Sequence, residues 1–220
     1  MRATDVGTHL GSVSGRAASA DLWYAQVGDH ATDVARFTED CLSADERARV
    51  ASYRSREAAE RYVITRSLAR TVLGERLGAR ARDLVLGRTD GGKPTTRGIH
   101  FNISHSGDLI LVAISAERDV GVDVERRRPV ERVEALVARW FTPAERADLA
   151  RLTASGLEQS DAFLQVWSIK EARLKALGVG ISGAPTARVE SLDVVSLRSL
   201  FESLPRGRDE RGYVGALAFA

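Results

Sequence analysis

Apolar and polar positions change period along this chain, and each change marks an element. Asp21-Leu-Trp-Tyr-Ala-Gln-Val27 has the composition of a strand. In Ser43-Ala-Asp-Glu46, hydroxyl and carboxylate satisfy each other's orphan amides, the signature of a helix start. It opens an Arg-rich helical region to about Gly78, in which Tyr62, Thr65, Ala69, Val72 and Leu77 recur at helical spacing and predict one buried face. Asp90-Gly-Gly-Lys-Pro94 reads as a turn. Three strands are predicted next: Ile99 to Ser104, Leu109 to Ser115 after the turn Gly107-Asp108, and Val120 to Glu125. Their close succession suggests an antiparallel meander. Thr142-Pro-Ala-Glu145 is a second capping box with Pro at the first helical position. Asp161 to Leu177 reads as an amphipathic helix ended by Gly178, and Gly212 to Phe219 as a final buried strand. No internal repeat is visible. Residues 1–20, small and polar at Thr4, Ser12, Ser14, Gly15 and Ser19, are expected to form a flexible tail. A boundary near residue 118 divides the remainder into 21–118 and 119–220.

Composition narrows the class. At 220 residues with 44% hydrophobic and 28% charged positions, the chain matches an ordinary globular protein of one large domain or two small ones. It has no run of about 18 apolar residues and no apolar core of a secretory signal, so no membrane association is expected. The single cysteine, Cys41, excludes an internal disulfide and suits a reducing compartment. The expectation is a cytoplasmic protein. A formal charge of +2 is too small to indicate nucleic acid by itself. The cations are unevenly divided: of 32 Lys and Arg residues, only Lys93, Lys170 and Lys175 are lysine. Lysine is a compact point charge and arginine a planar fork, so these positions draw notice.

Three segments carry candidate chemistry. In Gly121-Val-Asp-Val-Glu125, strand alternation sends Val122 and Val124 to one face and Asp123 and Glu125 to the other. Carboxylates two residues apart repel unless a cation lies between them, and hard oxygen ligands suit Mg2+. A solvated strand face beside Arg126, Arg127 and Arg128 is the alternative. In Trp167-Ser-Ile-Lys-Glu-Ala-Arg-Leu-Lys175, Trp167, Glu171 and Lys175 form one helical stripe. That is either an aromatic anchor beside a surface Glu–Lys pair, or a third carboxylate with Lys170 or Lys175 facing an anion. His100-Phe-Asn-Ile-Ser-His-Ser-Gly-Asp108 places Ser104, His105 and Ser106 where a strand meets a tight turn. This suits phosphate better than a hydrolase triad, since no Gly-x-Ser-x-Gly elbow is present. Together with Lys93 of the Asp90–Pro94 turn, the segments offer three carboxylates, a histidine and all three lysines, residue types that suit a Mg2+-bound polyphosphate.

Gly92-Lys-Pro, Phe101-Asn-Ile-Ser-His-Ser-Gly, Gly121-Val-Asp-Val-Glu and Trp167-Ser-Ile-Lys-Glu-Ala-x-x-Lys175 stand in the order and approximate spacing of the Sfp-type 4′-phosphopantetheinyl transferases, which the chain resembles over about residues 21–219. The resemblance implies an α/β (α+β) fold of two similar, pseudo-twofold-related halves, each a small antiparallel-rich sheet packed with helices, acting as a monomer with coenzyme A between the halves. It implies Asp123, Glu125 and Glu171 as Mg2+ ligands, and Lys175, with Lys170, against the coenzyme A phosphates. Ser104 and His105 correspond to a phosphate-contacting pair, and Lys93 and Pro94 to the adenine-side loop. Where some relatives place lysines against the 3′-phosphate, this chain offers Arg47, Arg49, Arg61 and Arg66.

The implied reaction moves the phosphopantetheine arm of coenzyme A to a serine of an acyl or peptidyl carrier protein, releasing 3′,5′-ADP. Asp123, Glu171 and Lys175 would serve catalysis, Glu171 as the candidate acceptor of the serine proton. An acidic carrier would be steered by the basic excess of the chain, pI ≈ 8.9. Two competing classes stand beside this one. A Mg2+-dependent pyrophosphohydrolase acting on coenzyme A-like nucleotides would use the same acids without any carrier. A nucleic-acid binder would explain the arginines between Arg47 and Arg82, but 6% aromatic residues and interleaved acids argue against it.

Overall fold

In the computed structural model, which describes residues 1–16, 18–180, 189, 191–202, 204 and 212–220, strand β6 (Leu109–Ser115) organises the chain. Every one of its residues is buried, because both of its faces are covered. Ile110, Val112 and Ile114 pack with Val63, Ile64, Leu68 and Val72 of helix α3 (Arg56–Leu77). Leu109, Leu111 and Ala113 pack with Val120, Val122 and Val124 of β7 (Val120–Arg126) and with Leu217 and Phe219 of β9 (Tyr213–Phe219). A single strand of period two thereby joins two apolar cores.

The strands form two antiparallel sheets. One has the order β1 (Thr8–Ser14), β2 (Ser19–Gln26), β6, β5 (His100–Ser106); the other is β7, β9, β8 (Asp193–Ser196). A two-residue pair, β3 (Gly87–Arg88) with β4 (Pro94–Thr95), flanks the turn predicted from its glycines. The predicted three-strand meander is corrected here. β5 and β6 pair, but β7 leaves that sheet and hydrogen-bonds along its length to β9.

The expected tail is corrected where it is described: residues 1–16 and 18–20 are built into the fold. β1 pairs with β2 in a register running from Thr8 opposite Tyr24 to Ser14 opposite Ser19. Ahead of it, Ala3 and Val6 are fully buried in the α3 core, and the Ala3 amide donates to Glu75 Oε1 at 2.6 Å. Of the small polar residues expected in a tail, Ser12, Ser14 and Ser19 lie in the β1–β2 ladder, while Ala3 and Val6 are the ones that fit beneath the helix. The Arg-rich helical region also divides. α2 (Ala44–Ala51) stops before Ser55, whose hydroxyl caps α3 by accepting the Ala58 amide. Thr65, Ala69 and Val72 lie inward as spaced, while Leu77, at the last turn, is exposed.

An internal repeat, unseen in the sequence, governs the architecture. β2, α1 (Val34–Cys41), α2, α3, β5 and β6 follow the same plan as β7, α4 (Val133–Trp140), α5 (Pro143–Ala154), α6 (Gln159–Leu177), β8 and β9. The strand orders β2-β6-β5 and β7-β9-β8 are equivalent. Both capping boxes are formed, at Ser43 with Glu46 and at Thr142 with Glu145, and each opens the second helix of its half. The fold is thus mixed α and β with two similar antiparallel units, as expected. Among the described residues, no helix is long and apolar enough to cross a membrane.

One glycine fixes how α6 meets β7. A Cβ on Gly121 would lie 2.0 Å from the Ala172 carbonyl oxygen and 2.3 Å from the Ala176 amide nitrogen. Only a bare Cα allows strand and helix backbones to approach this closely. The contact holds Asp123, two residues along the same face of β7, in register with Glu171 and Lys175 on α6.

Candidate active site

Strands β5 and β7 lie side by side without a backbone ladder, and side chains replace it. The Val122 amide donates to Asn102 Oδ1 at 3.0 Å, Val124 to Ser104 Oγ at 3.3 Å, and Arg126 to Ser106 Oγ at 3.0 Å. Every second residue of β5 therefore satisfies every second amide of β7, whose other edge pairs with β9. Asn102, the only asparagine in the chain, supplies the acceptor at the buried end of this seam.

The same two serines turn their protons toward the acids of β7. Ser104 Oγ donates to Asp123 Oδ1 at 3.0 Å, and Ser106 Oγ to Glu125 Oε2 at 3.2 Å. Asp123 and Glu125 share the face of β7 opposite its core valines, beneath α6. From α6, Lys175 Nζ reaches Asp123 Oδ1 at 2.6 Å and Ser104 Oγ at 3.1 Å. Glu171, one turn earlier on that stripe, lies close enough to feel both Lys175 and Asp123. Trp167, a further turn back, stacks on Phe163, which stacks on Phe141. The stripe is thus an aromatic anchor at one end and a charged cluster at the other. Beside Glu125 opens a groove of about 600 Å3, walled by Pro129, Leu136, Phe163 and Trp167.

Three acids share too little positive charge. Burial pushes the Asp123 carboxyl up, although Lys175 and Ser104 pull against it. Burial, and then the neighbouring Asp123 charge, raises Glu125. Glu171 is raised by burial and by Asp123, against the pull of Lys175. Asp123 Oδ2 is buried with no hydrogen-bond partner among the described residues. Such an atom is costly unless something meets it. A cation would meet it and relieve the repulsion, so hard oxygen donors of this kind fit a divalent ion such as Mg2+. Among the described residues, no three acidic or His and Cys side chains are gathered closely enough to grip an ion; at Asp123 Oδ1 the Lys175 ammonium stands instead.

The other residues singled out in the sequence divide into two groups. His105 is exposed, on the side of β5 opposite Ser104 and Ser106. Partial desolvation of its ring, then Arg61 and Lys175, hold it below the usual histidine range. Arg49 lies over the Tyr62 ring and, with Arg66, Arg88 and Pro94, lines a pocket of about 220 Å3. Ser104 and Lys175 thus stand at the acids, with Arg61 near His105 on the other side of β5 and Arg49 and Pro94 along the first half.

Lys170, Lys93, Arg47 and Arg66 are tied into the framework. Lys170 Nζ sits 2.9 and 3.1 Å from the two oxygens of Glu145 in a buried pair, and acts on Glu171 only through space. Lys93 Nζ bridges Asp119 Oδ1 and the Ala176 carbonyl, both at 3.0 Å, and ties the β3–β4 turn to the second half. Arg47 donates to the Leu42 carbonyl at 2.6 Å, and Arg66 to Glu46 Oε1 at 2.5 Å. From the sequence, Ser106 reads only as part of a phosphate-suited turn, and Asn102, Glu46 and Glu145 carry no functional expectation. The first two were legible as polar residues at alternate positions of a strand. The two glutamates were read as caps alone.

Comparison with known proteins places the chain in a family. Residues 119–212 match the family model of the 4'-phosphopantetheinyl transferase superfamily, and residues 31–117 match that of the 4'-phosphopantetheinyl transferase N-terminal region. The chain is 35% identical over 162 residues to 4'-phosphopantetheinyl transferase psf-1 of Bacillus pumilus, covering 67% of each. It is 33% identical over 159 residues to 4'-phosphopantetheinyl transferase HetI of Nostoc sp., covering 70% of this chain and 64% of that relative. With 4'-phosphopantetheinyl transferase Sfp of Bacillus subtilis it shares 30% over 144 residues, 64% and 62% of the two chains. The chain spans about two thirds or less of the length of these relatives. It belongs to the 4'-phosphopantetheinyl transferase superfamily.

Proposed function

We propose that this chain transfers the 4′-phosphopantetheine arm of coenzyme A to a serine of an apo acyl or peptidyl carrier protein, giving holo carrier and 3′,5′-ADP, and that it does so with Mg2+ as a cytoplasmic monomer. The observation that supports this most directly is the cluster of Asp123 and Glu125 beneath α6, with Glu171 and Lys175 above them and Ser104 joining Asp123 to Lys175.

Asp123, Glu125 and Glu171 are the residues that would hold Mg2+. When bound there, it supplies Lewis-acid neutralisation of the pyrophosphate charge. The carrier serine oxygen forms a bond to the β-phosphorus of coenzyme A as the bond from that phosphorus to 3′,5′-ADP breaks. Glu171 takes the serine proton. Lys175 places its ammonium where negative charge builds on the pyrophosphate. Arg61 and His105 bind phosphate at the nucleotide end, and Arg49, stacked on Tyr62, and Pro94 line the first-half pocket beside it. The groove beside Glu125 gives the pantetheine arm an apolar wall. Lys93 and Lys170 hold the turn and α6 in place through Asp119 and Glu145.

The test is intact-protein mass spectrometry of an apo carrier protein mixed with this chain, coenzyme A and Mg2+. The expected result is a mass gain of one phosphopantetheine, lost with chelator. Release of 3′,5′-ADP with no gain on any carrier class would replace transfer by hydrolysis.

His105→Ala separates binding from chemistry. Losing a charge-assisted phosphate contact should raise the KM for coenzyme A about tenfold while kcat changes much less. Steady-state kinetics at saturating carrier read both constants, and a fall confined to kcat would make His105 part of the chemical step.

A further inference from the structure

We propose that Ser106 is a positioning residue for Glu125: anchored on the Arg126 amide, its hydroxyl aims the Glu125 carboxylate and thereby sets how tightly the acid cluster takes a divalent cation. This rests on the reading of Asp123, Glu125 and Glu171 as metal ligands.

The two acids of β7 are held differently. Asp123 is short, buried, and fixed twice through Oδ1, by Ser104 and by Lys175. Glu125 is longer by one torsion, only half-buried, and repelled by Asp123. A free glutamate side chain retains rotamer entropy that must be given up when it binds an ion. Ser106 removes part of that cost in advance. Its oxygen accepts the Arg126 amide at 3.0 Å, which leaves its proton directed to Glu125 Oε2 at 3.2 Å. The bond runs from one strand to the next, so the carboxylate takes its direction from the β5–β7 seam rather than from its own strand. Ser104 makes the same pair of contacts with the Val124 amide and Asp123. The alternation of β5 thus delivers one hydroxyl to each acid, and places His105, between them, on the opposite side. Partners of ligating carboxylates typically change metal affinity by about 10–100-fold when removed.

Binding of Mn2+ alone to the full chain, followed by the loss of the free-ion paramagnetic resonance signal, tests this without any turnover. Ser106→Ala should weaken Mn2+ binding about tenfold. Ser106→Thr, which keeps the hydroxyl, should bind within about threefold of the unaltered chain, a loss below half of one tenfold step. Melting in chelator should be the same for all three proteins, because the Arg126 amide lies at an exposed position where water replaces the lost acceptor. Wild-type Mn2+ affinity in Ser106→Ala, with Glu125→Gln still weakening it, overturns the proposal. So does a lowered melting temperature in chelator with affinity unchanged, which would make Ser106 structural only. If the unaltered chain binds no Mn2+ and carrier modification proceeds in chelator, the metal reading itself fails and takes this inference with it.

Discussion

Glu171→Gln is expected to reduce phosphopantetheine transfer by about 10²–10⁴-fold, the range found when a positioned proton acceptor is removed, while the protein melts as before. The two halves of that expectation come from different observations. Glu171 stands on α6 in the same stripe as Lys175, over the face of β7 that carries Asp123 and Glu125, so under the proposed mechanism a neutral amide there would remove both a cation ligand and the proton acceptor. The fold gains little from the charge: Glu171 is half-buried, and its neighbours act on it through space, Lys175 and Lys170 favouring its ionisation while burial and Asp123 oppose it. Gln keeps the size and the helical propensity of Glu. Carrier mass gain at fixed time and a thermal melt of the same sample measure both. Turnover near that of the unaltered protein would remove Glu171 from the mechanism. A collapse of the melt would show that its charge holds α6 in place.

The carboxylates were legible because a strand and a helix have fixed periods. Asp123 with Glu125, and Glu171 with Lys175, need only alternation and the 3.6-residue turn to be placed on faces. That the two faces meet is a tertiary fact, decided by Gly121 and by Ala172 and Ala176, whose small size lets α6 settle on β7 and β9. The lysines' partners were illegible for a related reason. Three lysines in an Arg-rich chain invite a reading as ligand contacts, yet Lys93 and Lys170 each answer an acid far away in sequence, Asp119 and Glu145. Sequence spacing says nothing about such partners. The seam between β5 and β7 was half legible: polar residues at 102, 104 and 106 show that one face of the strand is not ordinary core, but not that another strand's amides lie across it.

The repeat leaves only a local trace in the sequence. Leu42-Ser-x-x-Glu-Arg47 and Phe141-Thr-x-x-Glu-Arg146 share apolar, hydroxyl, acid and arginine positions. Arg47 donates to the Leu42 carbonyl as Arg146 does to that of Phe141. Downstream, Arg70 and Lys170 each stand eight residues before the left-handed glycine that ends their helix, Gly78 and Gly178, and each meets the buried glutamate of its half. Strand and helix sequences have otherwise diverged. Where α6 carries Glu171 and Lys175, the matching positions of α3 hold Thr71, beside Cys41, and Glu75, which accepts the Ala3 amide. One half carries charge at these positions, and the other closes over its own N-terminal segment.

That correspondence assigns Glu46 a structural role large enough to measure. Its carboxylate is buried and receives Arg70 and Arg66, each at 2.5 Å, while Arg70 also donates to the carbonyls of Ala81 at 2.7 Å and Leu84 at 3.1 Å. Glu46→Gln keeps the shape and leaves the buried Arg70 guanidinium without a counter-charge. Breaking a buried pair from one side costs about 3–5 kcal/mol, which for a chain of this size lowers Tm by on the order of 10 °C. The pH dependence has a definite sign. Burial raises the Glu46 pKa, but Arg66 and Arg70 outweigh it and hold the group below its ordinary value of 4.5. The folded state therefore binds this proton less readily than the unfolded chain. The stabilisation is fully present above that ordinary value and is lost as pH falls toward the lower folded one. The Tm difference between wild type and Glu46→Gln should accordingly be constant from pH 7 to about 5.5, a unit above the unperturbed carboxyl, and narrow in more acidic buffer. A gap that stays constant, or widens, on acidification would mean that shape and packing at Glu46, not its charge, hold α2 against α3.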